Sequence, residues 1–153
     1  DYQLDGMQVM HHSVFIDKLI GEKKIKLNPL GITTVYHDPC ELGRGSGIYE
    51  QPRHVLNQIS ELAGVTEERA NSLCCGGSIG ELNMNAAQRN VIRDNALSVL
   101  CDPNPDLLVT ACPLCKKTFE SGNVTQVKDI AELVAESMNQ EKTTGKSASL
   151  AEV

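Results

Sequence analysis

The chain has 153 residues, enough for one domain with a sizeable core, and 41% of them are hydrophobic against 22% charged. A net charge of −6 with no basic block argues against a nucleic-acid partner. No apolar run approaches the roughly 20 residues of a membrane helix, so direct membrane insertion is not expected.

The elements follow in chain order. Gln8-Val9-Met10 reads as a short strand. Ser13 is a plausible helix cap, and Phe15, Ile16, Leu19 and Ile20 give a helical face up to Gly21. His11 and His12 lie between these elements, and a histidine pair without a matched ligand spacing is more often structural than metal-binding. Glu22 to Asn28 is a lysine-rich connector. Ile32-Thr33-Thr34-Val35-Tyr36 is a β-branched strand, and Pro39 ends it by forcing Asp38 out of the helical region. Cys40 therefore emerges at a strand's carboxyl end, where open α/β sheets place their sites.

Gly43-Arg44-Gly45-Ser46-Gly47 resembles a nucleotide loop only superficially, because Ile48 stands where the third glycine is needed. It reads instead as a flexible loop wrapping a site, with Arg44 available to offset thiolate charge. Val55, Leu56, Ile59 and Leu62 mark a helix from Tyr49 to about Ala63, with Pro52 tolerated in its first turn. A polar stretch, Gly64 to Ser72, leads to Cys74-Cys75-Gly76-Gly77. Leu82 to Leu100 reads as a long helix with Ala87, Val91, Ile92, Ala96, Val99 and Leu100 on one side. Cys101 ends it and is expected to be a buried small hydrophobe. Pro103-Asn104-Pro105 is a turn.

Leu107-Leu108-Val109-Thr110 is an all-apolar run of the kind found in covered parallel strands. It feeds Cys112-Pro113-Leu114-Cys115. Pro113 suits the first helical position, which makes Cys112 the cap and sets both thiols near free N–H groups and the positive end of the helix dipole. Asn123 to Val127 adds a short edge strand. Asp129 caps a last helix bearing Ile130, Leu133, Val134 and Met138. The polar tail, residues 139–153, reads as disordered. Its Gly145-Lys146-Ser147 is not a phosphate loop, since Gln140 occupies the position of the first glycine. The alternation of strands and helices predicts an α/β fold over residues 1–138: a mostly parallel sheet with flanking helices, the site built by loops at strand carboxyl ends.

Six cysteines is not the density of a disulfide scaffold, and their grouping as CC and CxxC fits metal or redox chemistry in a reducing, cytoplasmic compartment. No secretory signal is visible, and the chain starts at Asp1, as an excised or processed piece would. Adjacent cysteines face one object only from an irregular turn, which Gly76 and Gly77 supply. Five thiols, Cys40, Cys74, Cys75, Cys112 and Cys115, lie on three loops. Zinc takes four ligands, whereas a cluster of several irons accepts more. Sulfur-only donors leave iron–sulfur as the leading expectation and a structural zinc module as an alternative. A second alternative is a thiol–disulfide oxidoreductase using Cys112 and Cys115 alone, which leaves Cys40 and the CCGG turn without a role.

Tyr36-His37-Asp38-Pro39-Cys40, Gly47-Ile48-Tyr49-Glu50 with Pro52-Arg53, Cys74-Cys75-Gly76-Gly77 and Thr110-Ala111-Cys112-Pro113 with Cys115 carry a resemblance. The chain resembles the cysteine-rich CCG domain of heterodisulfide reductase B and D subunits and of iron–sulfur subunits for glycolate, lactate and anaerobic glycerol-3-phosphate oxidation. The resemblance spans roughly Val9 to Met138. It implies an iron–sulfur electron-transfer domain holding a noncubane [4Fe-4S] cluster on Cys40, Cys74, Cys75, Cys112 and Cys115. It also implies ferredoxin-like or flavin-containing redox partners, and membrane association only through such a partner. Relatives usually carry a second such module or a ferredoxin-like segment, which supports reading the chain as one part of a larger oxidoreductase.

Overall fold

The computed structural model describes residues 6–77, 83–124 and 126–139. Four strands form one all-parallel sheet: β1 (Thr33–His37), β2 (Glu61–Ala63), β3 (Leu107–Thr110) and β4 (Val127–Asp129), in the order β2-β1-β3-β4. Helices α1 (His12–Gly21), α2 (Glu50–Leu56), α3 (Ala86–Leu100), α4 (Pro113–Glu120) and α5 (Ile130–Asn139) flank it. This is the expected α/β architecture.

Period-two alternation assigns side chains to the two faces. Tyr36, Leu107 and Val109 face one core with Leu42, Val55, Leu56, Ile130 and Leu133 from the α2 and α5 side. Val35 and Leu108 face the other, with Ala96, Leu97 and Leu100 of α3 and Phe119 of α4. Every residue of β3 is buried, as its continuous apolar sequence requires.

Strand order decides where a site can form. From β1 the chain passes through α2 to β2 on one side. From β2 it returns through α3 to β3 on the other side of β1. Between β1 and β3 the winding reverses, so the segments that follow these strands part toward opposite faces and leave a crevice. Cys40 lies just beyond β1 and Cys112 just beyond β3.

Several local expectations change. Val9 and Met10 form no strand, and Val9 is 75% exposed. His11 rather than Ser13 caps α1: its backbone is extended and its Nδ1 accepts from the Ser13 N–H at 3.3 Å. Ser13 is buried inside the helix, while Phe15, expected on the packed face, is exposed. The helix expected to reach Ala63 stops at Leu56, where the Ser60 hydroxyl and the Ser60 N–H both donate to the Leu56 carbonyl. Glu61–Ala63 then pairs with β1, Leu62 opposite Thr34. An apolar residue at helical spacing also suits a strand, and only the neighbouring β1 ladder decides between them.

The long helix begins at Ala86 behind an Asn85–Gln88 capping box, and Leu82 lies outside the described residues. Its buried residues are Ala96, Leu97 and Leu100, whereas Ala87 and Val91 are exposed, because only the carboxyl half packs on the sheet. Cys101 caps this helix and is exposed, not buried. The edge strand runs from Val127 rather than ending there, and Asp129 closes it while its carboxylate accepts from the Ala131 N–H at the start of α5. The expected disordered tail falls outside the described residues from position 140 onward.

Candidate iron–sulfur site

The three cysteine segments meet at the carboxyl ends of β1 and β3. Cys112 caps α4 with extended backbone, and Pro113 occupies the first turn, as its fixed φ favours. Cys115 lies one turn into the same helix and is buried. Cys75 is buried beside it, and Cys74 and Cys112 are half-buried.

The thiols form a chain of contacts. The Cys115 thiol hydrogen-bonds with Cys75 and with Cys112, sharing its single proton between them, and Cys75 is also hydrogen-bonded with Cys74. The Gly76 N–H points at the Cys74 sulfur at 3.5 Å and the Gly77 N–H at the Cys75 sulfur at 3.4 Å. Donation from Cys115, then from Cys74 and the Gly77 amide, holds the Cys75 thiol well below its ordinary range. Contact with Cys112 and Cys75, with burial added, pushes Cys115 upward, so it keeps the proton that its neighbours share.

Cys112 is lowered to about 6, first by the Cys115 thiol and then by the Cys115 and Leu114 N–H groups at the start of α4. In metal-free protein, therefore, iodoacetamide should label Cys112 with a pH midpoint near 6 and label Cys101, whose thiol is raised by partial desolvation, only above the ordinary thiol range. Peptide mapping of single-cysteine labelling against pH checks this. Equal midpoints at the two residues would contradict it.

Cys40 stands apart from this chain of contacts. It precedes a π-helical turn, Glu41–Gly45, that bulges out after β1. The glycine-rich segment is thus an ordered turn at its start, not a loose wrap. Arg44 donates to the Ala70 and Ser72 carbonyls at 3.2 and 2.7 Å, tying this turn to the segment ahead of Cys74 rather than to a thiolate.

A buried ion pair holds the same two segments. Arg53 Nη1 and Nη2 reach the two Asp38 carboxylate oxygens at 2.6 and 2.7 Å, and the Arg69 N–H donates to Asp38 Oδ2 at 2.8 Å. The Arg53 guanidinium also stacks over the Tyr36 ring and donates to the Tyr49 carbonyl. Reasoning from the sequence assigned no role to Asp38, Arg53, His37 or Thr110. All four lie in the motifs that carry the family resemblance, and a further local signal was an arginine among Pro52, Val55 and Leu56 on a face that has to be buried.

His11 and His12 pack against each other at the start of α1. Their rings are 4.1 Å apart, and His12 Nε2 lies 3.4 Å from Asp129. Beside Cys112 opens a groove of about 460 Å³ walled by Val9, Met10, Leu42, Ile48 and Pro113.

Among the described residues, no group of three or more His, Cys, Asp or Glu side chains stands as a ready single-ion site. The donor chemistry nevertheless fits a thiolate-held group: four cysteines in contact and two backbone N–H groups aimed at sulfur.

A family model described as a cysteine-rich domain, CCG, matches residues 34–120, which run from β1 through Cys40, Cys74, Cys75, Cys112 and Cys115 to the end of α4. This chain belongs to the CCG cysteine-rich domain family. It is 33% identical over 147 residues to the EtfAB:quinone oxidoreductase of Syntrophomonas wolfei, covering 86% of this chain and 21% of that protein. It is 35% identical over 145 residues to the D subunit of the dihydromethanophenazine:CoB–CoM heterodisulfide reductase of Methanosarcina acetivorans, covering 86% of this chain and 34% of that relative. It is 30% identical over 152 residues to a Bacillus subtilis protein named as a probable iron-sulfur-binding oxidoreductase, FadF, covering 90% of this chain and 21% of that protein. The CCG chain thus spans between about a fifth and a third of the length of these relatives. Among the described residues no helix is long and apolar enough to cross a membrane.

Proposed function

We propose that this CCG domain is an iron–sulfur electron-transfer module of a larger oxidoreductase, with residues 1–138 forming the cluster domain. Cys40, Cys74, Cys75, Cys112 and Cys115 would hold a [4Fe-4S] cluster, in the noncubane form that the family resemblance implies. When bound, such a cluster accepts and releases single electrons. The relatives named as oxidoreductases and as an iron-sulfur-binding protein support this reading.

The observation that carries it is the convergence of three cysteine loops at the switch point between β1 and β3. The protein's own contribution is the placement of those thiols. The Gly76 and Gly77 amides offer hydrogen bonds that stabilise negative charge on sulfur, and such bonds raise a cluster's reduction potential. The domain would then pass electrons between a ferredoxin-like or flavin-containing partner and a disulfide or small organic substrate, in the cytoplasm, with any membrane association made through that partner.

The test is the metal and acid-labile sulfide content of protein purified without oxygen. About four irons and four sulfides per chain are expected. Cys75→Ser should lose most of both while its far-ultraviolet circular dichroism stays that of the parent. One zinc and no sulfide would overturn the proposal in favour of a structural zinc module. Neither metal, with Cys112 and Cys115 readily oxidised to each other, would favour thiol–disulfide exchange, which the low Cys112 thiol pKa of about 6 would suit.

A further inference from the structure

We infer that His37 is a positioning residue that fixes the roots of all three cysteine loops relative to one another, and so sets the donor arrangement offered to the cluster. The inference rests on the iron–sulfur reading for its consequence, though not for its geometry.

His37 is the last residue of β1 and is 2% exposed. Its Nε2–H donates to the Leu73 carbonyl at 3.1 Å, and Leu73 immediately precedes Cys74. Its Nδ1 lies 3.4 Å from the hydroxyl of Thr110, its register partner at the end of β3, two residues ahead of Cys112. Its own backbone leads through Asp38 and Pro39 to Cys40. The ring meets Phe119 of α4 edge-on at 4.7 Å, on the helix that carries Cys115. One imidazole thus touches the base of each cysteine segment.

An aliphatic side chain would fill this space without burying two ring nitrogens, and burying polar atoms costs free energy unless they are bonded. Both nitrogens have partners, and each partner belongs to a different loop. The remaining ties to the segment ahead of Cys74, from Arg44 and Asp38, end at Ser72. Among the described residues, the His37–Leu73 bond is the side-chain tie that reaches the residue adjoining Cys74.

The test uses the whole chain with three substitutions. His37→Gln keeps an N–H near the place of Nε2. His37→Phe keeps the ring and its contact with Phe119 but removes both polar bonds. Thr110→Val removes the hydroxyl at nearly constant volume and serves if His37→Phe does not fold.

In metal-free protein, amide exchange read by NMR at Gly76 and Gly77 should speed up about tenfold in His37→Phe, from the lost hydrogen bond alone. Exchange at Leu133 in α5 should stay unchanged, and His37→Gln should restore Gly76 and Gly77. Thr110→Val should show the same pattern with a smaller amplitude. In iron-loaded protein the electron paramagnetic resonance signature should change in His37→Phe and return in His37→Gln.

Unchanged exchange at Gly76 and Gly77, or equal acceleration at Leu133, would overturn the inference and leave His37 as core filling. A parent protein that binds no iron would sink the iron–sulfur reading, while the exchange data would still judge the positioning role.

Discussion

Arg53→Ala is expected to destabilise the domain by about 3–5 kcal/mol, the usual cost of breaking a buried ion pair by deleting one partner. Asp38 is 3% exposed and Arg53 5% exposed, and the guanidinium meets both carboxylate oxygens in a parallel fork. Deletion leaves the carboxylate with only the Arg69 N–H among the described residues. It also removes the cation over Tyr36 and the bond to the Tyr49 carbonyl.

Arg53→Lys should recover little, because an ammonium cannot reproduce the two-pronged contact. Asp38→Asn in the Arg53→Ala background should regain part of the loss, since a neutral amide is cheaper to bury than a carboxylate. Urea unfolding of the metal-free variants measures the whole set. A loss below about 1 kcal/mol for Arg53→Ala would mean that this pair behaves like an exposed one.

Gly76→Ala is the second large effect. Gly76 has φ +82°, in the left-handed region where a Cβ costs roughly 1–2 kcal/mol. A Cβ there would lie 2.7 Å from the Arg89 carbonyl oxygen and 3.3 Å from the Arg93 nitrogen, both backbone atoms of α3 that cannot swing aside. Overpacking of this kind adds about 1–3 kcal/mol.

Neighbouring Gly77 differs in kind. An added Cβ there meets the Thr118 hydroxyl, and a side chain can rotate away. Gly77→Ala is therefore expected to be the milder change, and urea unfolding of the two variants side by side ranks them. Equal losses, or a Gly76→Ala loss under about 1 kcal/mol, would show that the CCGG turn is free to move away from α3.

The position of Gly76 also explains why the cysteine pair needs glycines after it. The turn is pressed between α3 and α4, with Arg89 and Arg93 on one side and Leu114 and Thr118 on the other. Sequence reasoning required an irregular turn here on the ground that adjacent thiols diverge. The close approach to two helices is a separate cause, visible only once both helices are placed.

What was legible came from strong local signals. The β-branched run before Pro39 and the all-apolar run before Ala111 are strands in the structure, each within a residue of its expected span. Pro113 set the start of α4 and made Cys112 its cap. What failed came from signals that two structures share. Leu62 fits a helix by spacing and a strand by company, and β1 beside it won. Cys101 and Val91 are apolar by type, but the amino half of α3 and its carboxyl cap project beyond the sheet, so no core reaches them.

The sequence by itself determined the class of this domain, an α/β fold with five cysteines on three loops, because hydrophobic period, proline and cysteine grouping are local properties. Tertiary structure decided which of those thiols touch. It joins Cys74, Cys75, Cys115 and Cys112 in one chain of contacts and holds Cys40 apart on the β1 side. It also decided what holds them there: His37 between Leu73 and Thr110, and Arg53 locked to Asp38. Those partners are separated by 15 to 73 residues along the chain. No local pattern encodes such pairings, because they arise only when the sheet order β2-β1-β3-β4 brings the ends of β1 and β3 together.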